Sequence, residues 1–430
     1  MEELMYYVWQ QRLSPSLQTP DGQSLVVVHP GLRNLDAGPD FFNAKIEIEG
    51  ITWAGNVEMH RRASDWYRHH HDSDHAYDSV ILHVVLENDA TISLPNGSPM
   101  HTVVMSIPQP LLERYHNLVA PSQTALLPGQ IPSYSSISCA CRLGEVPSLV
   151  IHDWMTALCT QRMLQKTQRV HDLVDGQLKS WNEAFYVVFT RSLGTSVNSD
   201  AMERLARSLP YKHLQHHADN LLQLKSLLLG QAGFLQSIDA SNRPVEQQEE
   251  WRMMQREYAF LRQKFCLSPL PVTVWKMGRI RPPAHPIERL KALAELIYRH
   301  SDLFGELLDA KEIAQMEKIL HQPGIGIQTA RSLIINAIIP TMISFAQWQG
   351  DDERCERALA LLEKLPSEEN RYIKQWKDSG LSTKYSFDSQ ALLQLFLQYC
   401  QPHKCLRCRI GCWLLAHDPK FPSSDNEIPY

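Results

Sequence analysis

The residues best suited to chemistry lie close together near the start of the chain. Asp40 opens one predicted strand, and Glu58 and His60 lie on the next. Side chains at positions i and i+2 of a strand point to the same side, so Glu58 and His60 share a face. If the two strands form a hairpin, Asp40 meets this pair at one end of the sheet. Two carboxylates and an imidazole can bind Mg²⁺ or Mn²⁺, which polarises a phosphodiester and activates a water molecule.

A polar segment rich in histidine follows these strands. Ser64 and Asp65 are typical of a helix start, which gives Asp65 a capping role. Alternatively, Asp65 forms a second metal position together with His69 or His71. His83 lies inside an apolar strand, where we expect a buried histidine with its hydrogen bonds satisfied.

Alternating apolar and polar residues predict the elements that position these groups. They are a helix over Glu2–Arg12, a strand over Ser24–His29, a hairpin of Asn43–Glu49 and Ile51–His60, and strands over Ser79–Glu87 and His101–Ile107. We assign residues 1–110 to this α/β domain. A segment rich in Pro, Ser and Gly, residues 111–146, is the predicted linker. Residues 147–430 follow the period of helices, so the fold class is α+β with a larger all-α domain.

Four cysteines cluster near the C-terminus, as Cys400-x4-Cys405-x2-Cys408-x3-Cys412. Thiolates at this spacing fit Zn²⁺ or an iron–sulfur cluster. Alternatively, they are reduced thiols half-buried in a helical core. Cys412 stands beside an apolar run and can belong to that core, which leaves His403 or no fourth ligand.

Two groups in the helical half are candidates for binding a substrate phosphate. Residues 323–330 resemble the Pro-Gly-Ile-Gly hairpin of a helix-hairpin-helix module, in which Gly324 and Gly326 let backbone N–H groups approach a phosphate. The alternative is a plain helix–helix turn. Arg279, Arg281 and Arg289 form a basic group that can clamp a phosphate or only pair with neighbouring helices.

The composition limits the possible partners. The chain has 430 residues, with 42 basic and 47 acidic side chains and a net charge of −5, so no strong overall field attracts nucleic acid. Met1-Glu2-Glu3 does not resemble a targeting signal, and the apolar stretch Ser332–Ala346 is too short for a membrane span. We therefore predict a cytoplasmic protein without a membrane contact. The odd number of cysteines, nine, argues against a disulfide framework.

The order helix, three strands, polar helical segment, strand resembles the core of the restriction-endonuclease-like PD-(D/E)xK nucleases. In that superfamily an acidic residue opens the second strand, and a (D/E)xK triplet lies on the third. Pro39-Asp40 and Glu58-Met59-His60 occupy these places, with His60 where the superfamily has lysine. That lysine positions the attacking water and helps to stabilise charge. The resemblance implies a restriction-endonuclease-like domain and nuclease activity.

Much of the chain also resembles an uncharacterised bacterial family, known only as a domain of unknown function. Short segments along the chain carry this resemblance: Gly38–Phe41, Trp53–His60, Ser64–Trp66, Leu82–Val85, Gly230–Gly233, Arg279–Pro282, His285-Pro286, Arg289, Asn336 and Pro340. It implies the architecture and no particular activity.

Three functions fit these features. The first is a metal-dependent nuclease, in which Asp40 and Glu58 hold the metal and His60 orients or deprotonates the attacking water. The second is a catalytically inactive, nuclease-like binding or scaffold protein, which the missing lysine favours. The third is a hydrolase that acts on a small substrate through a His/Asp metal centre. Because nucleic acid binding normally requires a basic face, the negative net charge weighs against the first.

Overall fold

The computed structural model describes the chain except residues 16, 20–21, 35–36, 94–97, 120–121, 124–133, 136, 179, 239–240, 242–243, 279–283 and 418–430. The chain divides into two compact units. The sheet unit consists of Met1–Trp154 and Phe396–Tyr430, and the helical unit of Met155–Leu395. The sequence from Phe396 onward, which we assigned to a helical domain of residues 147–430, thus groups with the N-terminal sheet.

Nine strands are described. They are β1 (Leu17–Gln18), β2 (Leu25–His29), β3 (Leu32–Arg33), β4 (Phe41–Ile48), β5 (Ile51–Arg62), β6 (Val80–Glu87), β7 (Thr102–Met105), β8 (Ser122–Gln123) and β9 (Tyr134–Ser135). The first seven form one mixed sheet in the order β1-β7-β6-β5-β4-β2, with β3 also paired to β4. Strands β8 and β9 form a separate pair.

The middle of the large sheet combines both kinds of strand pairing. Strands β4 and β5 form the predicted antiparallel hairpin, with Phe41 opposite Val57. Strands β5, β6 and β7 run parallel. A parallel neighbour requires a crossover, and the polar segment between β5 and β6 provides it.

Nineteen α-helices are described along the chain. They are α1 (Glu2–Gln10), α2 (Asp65–Arg68), α3 (Gln109–Val119), α4 (Ser148–Leu173), α5 (Trp181–Leu193), α6 (Thr195–Ser208), α7 (Tyr211–Gln215), α8 (Leu221–Gln231), α9 (Phe234–Ser237), α10 (Val245–Lys264), α11 (Pro286–Arg299), α12 (Leu303–Asp309), α13 (Ile313–Leu320), α14 (Ile327–Leu333), α15 (Ile339–Gln349), α16 (Asp352–Lys364), α17 (Arg371–Asp378), α18 (Ser386–Leu395) and α19 (Arg409–Ala416). The N-terminal sheet and the helical C-terminal part confirm the predicted α+β class.

The core of the sheet unit forms around β5 and β6. Val57 and Met59 of β5 and Val84 of β6 are almost fully buried. Helix α1 places Leu4 and Trp9 in the same unit's core, as its apolar side predicts. Because β5 is covered on both faces over residues 57–60, polar side chains there are buried as well.

One helical run among the described residues is long and apolar enough to cross a membrane. It covers Ile327–Gln349, where a π-helical turn joins α14 to α15. Of its most apolar 18-residue stretch, 72% is buried inside the structure. Buried core helices of soluble proteins can be equally long and apolar.

Candidate metal centre

Strand β5 buries two ionisable side chains on one face. Glu58 is 5% exposed and His60 is 3% exposed. The parallel register puts His83 of β6 beside Glu58. The antiparallel register puts Asp40, immediately before β4, close to the same point. The sheet pairing therefore brings together four polar residues that are distant in the sequence.

Asp40 and Glu58 contact each other directly. The backbone N–H of Asp40 donates to Oε2 of Glu58 at 3.1 Å, and the N–H of Met59 donates to Oδ2 of Asp40 at 3.0 Å. Burial and the negative charge of Glu58 raise the pKa of Asp40 to about 7, although a hydrogen bond from Tyr6 of α1 opposes this rise. Two carboxylates held this close favour a bound proton or a cation.

Two histidines from the segment after α2 join Glu58 and His60. Nε2 of His60 lies 3.5 Å from Oε1 of Glu58, and Nε2 of His71 lies 3.4 Å from the same oxygen. Nδ1 of His69 lies 3.2 Å from Nε2 of His60. One ligand atom from each of His60, His69 and His71 lies within 4.8 Å of the others. We call Glu58, His60, His69 and His71 the histidine–glutamate cluster.

The backbone between the two added histidines explains why both lie next to His60. Helix α2 ends at Arg68, and His70 adopts a positive φ of 61°. This left-handed residue turns the chain back, so His69 and His71 flank His60 while His70 is exposed. Tyr77 stacks on His71, with ring centroids 3.8 Å apart, and limits the movement of that ring.

His83 supports His60 from behind. Its Nε2 lies 2.9 Å from Nδ1 of His60, and its buried Nδ1 has no hydrogen-bond partner among the described residues. If Nδ1–H of His60 donates to His83, the lone pair on Nε2 of His60 faces Glu58 and the other histidines. Metal-bound histidines are commonly held by this kind of hydrogen bond from the ring nitrogen that does not bind the metal.

The two buried imidazoles are neutral. Burial and repulsion from His83 and His71 lower the pKa of His60 to about 2. Burial and repulsion from His71 lower the pKa of His83 to about 4. A neutral imidazole keeps a lone pair for a metal ion and cannot replace a lysine as a fixed positive charge.

The cluster opens to solvent at one histidine. His69 is exposed, whereas the side chains of Glu58, His60 and His71 are mostly buried. An ion or a small group can therefore approach from the side of His69.

Asp65 lies apart from these ligands. Its Oδ2 accepts the backbone N–H of Arg62 at 3.2 Å, and its Oδ1 pairs with Arg68 at 2.9 Å. These contacts tie the start of α2 to the end of β5. The N-cap residue of α2 is Ser64, which makes no side-chain capping hydrogen bond, so Asp65 does not cap the helix. The structure thus brings together His69 and His71 of the predicted second metal position, while Asp65 has other partners.

Three imidazoles and a carboxylate form a donor set for a divalent transition metal. Imidazole nitrogen suits Zn²⁺, Fe²⁺ and Ni²⁺, and carboxylates also suit Mn²⁺. Mg²⁺ prefers oxygen ligands. Among the two predicted ions, the donor set therefore favours Mn²⁺ over Mg²⁺.

The predicted phosphate-binding glycines have different surroundings. Gly324 has a φ of +85°, and a Cβ there would lie 2.9 Å from the carbonyl oxygen of Glu288. Gly326 precedes α14, and a Cβ there would meet nothing within 4 Å. Gly324 is therefore needed for packing against α11, whereas Gly326 leaves open space.

The predicted basic group is only partly described. Arg279 and Arg281 lie outside the described residues. Arg289 is 4% exposed and donates to the carbonyl oxygen of Gly324 at 2.7 Å and to Oγ1 of Thr329 at 3.0 Å. Its guanidinium holds the turn before α14, so binding of a phosphate there stays a prediction.

The C-terminal cysteines belong to the sheet unit. Cys405 and Cys408 flank a short 3₁₀ turn, and Cys408 caps α19. The Cys412 thiol donates to the carbonyl oxygen of Leu406 at 3.1 Å. Metal binding at Cys400, Cys405, Cys408 and Cys412 stays a prediction from the sequence.

The sequence interpretation missed two parts of the site. Tyr6 reaches Asp40 from α1, and His83 contacts His60 through the parallel pairing of β5 and β6. The sequence predicted that His83 is a buried histidine with its hydrogen bonds satisfied. It is buried, but its Nδ1 has no hydrogen-bond partner among the described residues. No local signal pointed to Tyr6, because its role depends on how α1 packs.

The chain belongs to the family described as "Protein of unknown function (DUF2851)", which it matches over residues 2–324. Neither a curated protein nor a solved structure matches the chain.

Proposed function

We propose that this member of the DUF2851 family is a metal-dependent phosphodiesterase that hydrolyses nucleic acid. The observation that carries the proposal is the meeting of Asp40 and Glu58 with His60, His69 and His71 at one partly open point of the sheet. When the two-residue strands β1 and β3 are left out, the succession of α1, β2, β4, β5, α2 and β6 has the same order as the nuclease core with which the sequence was compared.

Glu58, His60, His69 and His71 are the residues that would hold the ion. A divalent ion supplies a Lewis acid for the phosphodiester and lowers the pKa of a bound water. His60 is neutral and stands where the compared nucleases have lysine, so it fits the role of a ligand better than that of a cation.

Asp40 is suited to move a proton. Burial raises its pKa toward neutral pH, which suits a carboxylate that takes up a proton. Tyr6 and the backbone N–H of Met59 orient its carboxylate beside Glu58. The buried His83 fixes the ring of His60, which keeps the ligand atom directed at the cluster.

A specific observation favours a second candidate, a hydrolase of a small substrate. Three arginines near the cluster are already paired: Arg33 with Glu3, Arg62 with Glu87, and Arg68 with Asp65. Among the described residues the exposed Arg61, next to His60, has no ion pair, so one nearby arginine is left for a phosphate. Nucleic acid binding usually depends on several cations that contact phosphates. A small substrate that reaches the metal past His69 needs fewer of them.

The experiment is a cleavage assay with the full-length, untagged chain. Single- and double-stranded DNA and RNA, together with a chromogenic phosphodiester, are incubated with Mn²⁺, Zn²⁺ or Mg²⁺. We expect Mn²⁺-dependent cleavage of a nucleic acid. The cleavage rate should fall about 100-fold or more in Glu58→Gln, because a charged metal ligand is lost. His75→Gln is the matched control, since His75 lies on the same segment but is exposed and pairs only with Asp78.

The outcomes separate the candidates. Cleavage of the small phosphodiester alone supports the second candidate. Metal binding that depends on Glu58 without any cleavage identifies an inactive binding protein. Equal activity in the wild type and Glu58→Gln contradicts both enzymatic proposals.

A further inference from the structure

Three arginines from helices α4, α5 and α6 meet at one carboxylate of the helical unit. Glu203 of α6 accepts a hydrogen bond from Nη1 of Arg191 on α5 at 2.7 Å and another from Nη2 of Arg207 on α6 at 2.9 Å. Arg169 of α4 donates to Oε2 of Glu203, the same oxygen that Arg191 contacts, so these two guanidinium groups lie side by side. We call Arg169, Arg191, Arg207 and Glu203 the arginine cluster.

Glu203 orients the three arginines but does not balance their charge. Its side chain is 12% exposed, and this burial alone raises its pKa. The hydrogen bond from Arg207 and the charges of all three arginines outweigh the effect of burial and lower the pKa of Glu203, so the carboxylate stays ionised. The exposed Asp200 adds a second carboxylate, which lies 2.6 Å from Nη1 of Arg191. These direct contacts set three positive charges against two negative ones.

Two of these arginines line a pocket of about 440 Å³. Its lining residues are Arg169, Asp172, Leu173, Gly176 and Arg207. The side chains of Arg169 and Arg207 are 45% and 39% exposed, so a solute in the pocket can reach both. Asp172 is the acidic residue of this lining, and its Oδ1 accepts a hydrogen bond from Nε2 of Gln168 at 2.8 Å. The pocket has the size of a small-molecule site and more cationic than anionic side chains.

The backbone beside the pocket leaves room for a ligand. Helix α4 ends at Leu173, and a π-helical turn over Val174–Leu178 follows it. Such turns are rare and occur frequently at functional sites. A Cβ at Gly176, which lies within this turn, would meet nothing within 4 Å. The pocket is therefore open on the side of Gly176, while Arg169 and Arg207 form its charged part.

A phosphate monoester matches the chemistry of this pocket. Near neutral pH it carries up to two negative charges and three terminal oxygens, and guanidinium groups form paired, charge-assisted hydrogen bonds with such oxygens. A carboxylate ligand has one charge and two oxygens, which is what Glu203 already offers to the same arginines. A nucleic acid is normally bound by several cations spread along a surface. A single pocket with two exposed arginines therefore favours a small phosphorylated compound.

We propose that the arginine cluster binds the phosphate group of a small phosphorylated ligand. Arg169 and Arg207 contact the phosphate with N–H groups that face the pocket, and Arg191 and Glu203 are positioning residues that hold the two guanidinium groups in place. All four residues belong to the helical unit. The site requires no metal, and the proposal is independent of the histidine–glutamate cluster.

The experiment measures the binding of phenyl phosphate and of benzoate to the full-length chain by isothermal titration calorimetry. The protein is first freed of metal by dialysis against a chelator, so that the histidine–glutamate cluster does not contribute. Ionic strength is held constant, and a pH of about 8 keeps the phosphate doubly charged. We expect phenyl phosphate to bind at one site per chain, and benzoate to bind about tenfold more weakly or less, because it lacks the second charge.

Three variants test which arginines bind the phosphate. Arg169→Gln and Arg207→Gln should each weaken the binding of phenyl phosphate about tenfold or more, because each removes charge-assisted hydrogen bonds. Arg256→Gln is the matched control, since it removes the same charge from an exposed position on α10 and should leave binding unchanged. Circular dichroism and thermal unfolding show whether each variant is folded.

A second measurement covers the case in which Arg169→Gln or Arg207→Gln does not fold. The native wild type is treated with phenylglyoxal, which modifies accessible arginines, with and without phenyl phosphate, and each arginine is followed by mass spectrometry. We expect phenyl phosphate to protect Arg169 and Arg207 and to leave the modification of Arg256 unchanged.

Four outcomes overturn the proposal. The first is a wild type that does not bind phenyl phosphate, and the second is equal protection of Arg256 and Arg169, which means that the anion binds to surface charge in general. The third is equal binding of benzoate, which contradicts a phosphate site. In the fourth, single-stranded DNA protects Arg169 and Arg207 whereas phenyl phosphate does not, and the occupant is then a nucleic acid.

Discussion

Both units bury polar side chains, but they combine them in opposite ways. In the helical unit, buried donors meet acceptors: Arg289 donates to Gly324 and Thr329, and Lys166 donates to Asn336 at 2.8 Å and to Gln390 at 2.7 Å. In the sheet unit, a buried carboxylate lies within 3.5 Å of two imidazole nitrogens, from His60 and His71. In the helical unit these cationic side chains have oxygen acceptors, although Nε of Arg289 has no partner among the described residues. The sheet unit gathers carboxylates and imidazoles, which together can bind a cation.

The largest effect expected from this difference concerns Glu58→Gln. Mn²⁺ or Zn²⁺ at 100 times its dissociation constant should stabilise the wild type by about 2.7 kcal/mol. The variant should gain almost nothing, because it lacks the charged ligand. In metal-free protein the variant should be as stable as the wild type or more so, since the repulsion between Glu58 and Asp40 is removed. Chemical denaturation with and without metal measures both quantities. A metal-free variant that is clearly destabilised would mean that the cluster is a structural network.

The next effect concerns the buried hydrogen bonds of Arg289 in the helical unit. Arg289→Met leaves the carbonyl oxygen of Gly324 and the hydroxyl of Thr329 without their buried donor, which should cost about 2 kcal/mol of unfolding free energy. Added Mn²⁺ or Zn²⁺ should not restore it. Arg256→Met on α10 is the control, because Arg256 is exposed. Urea unfolding compares the three proteins, and equal midpoints would show that Arg289 does not hold the turn.

Smaller effects are expected at the two glycines of the same turn. Gly324→Ala forces a side chain into a positive φ and against Glu288 and Ala292, so we expect a loss of about 1–2 kcal/mol. Gly326→Ala should be close to neutral, because its φ is −75° and the space beside it is open. Thermal unfolding checks the difference. If Gly326→Ala keeps its stability but weakens nucleic acid binding, the turn contacts phosphate as the sequence pattern predicts.

The last effect is a change of stability with pH. Burial and the charge of Arg162 lower the pKa of Lys166 to about 7, below the value of about 10.4 expected in the unfolded chain. Between these values the unfolded state binds more protons, so Lys166 makes stability rise with pH. Lys166→Met should remove this contribution. The difference in unfolding free energy between the two proteins at pH 7 and pH 9 measures it, and parallel curves would exclude it.

Several features could be predicted from local patterns. The alternation in residues 43–60 predicted the hairpin of β4 and β5, and the i, i+2 spacing correctly placed Glu58 and His60 on one face. Helical periodicity predicted the helices of the second half. These predictions succeed because each depends on neighbours a few residues away, which the sequence shows directly.

Other features could not be predicted because they depend on residues far apart in the chain. The pairing of His83 with His60 requires the parallel register of β5 and β6. The contact between α19 and the 3₁₀ turn after Cys139 likewise joins segments that are far apart in the sequence. Spacing along the chain gives no distance between segments that fold back on each other.

The sequence by itself determined the α+β class and the face of β5 that carries the acidic and imidazole groups. Only the tertiary structure decided which groups share a buried space: His69 and His71 with Glu58, Asp65 with Arg62 and Arg68, and Arg289 with Gly324. The physical reason is that a buried polar or charged group is paired by the groups that surround it in space. Those neighbours come together only after distant strands and helices have packed.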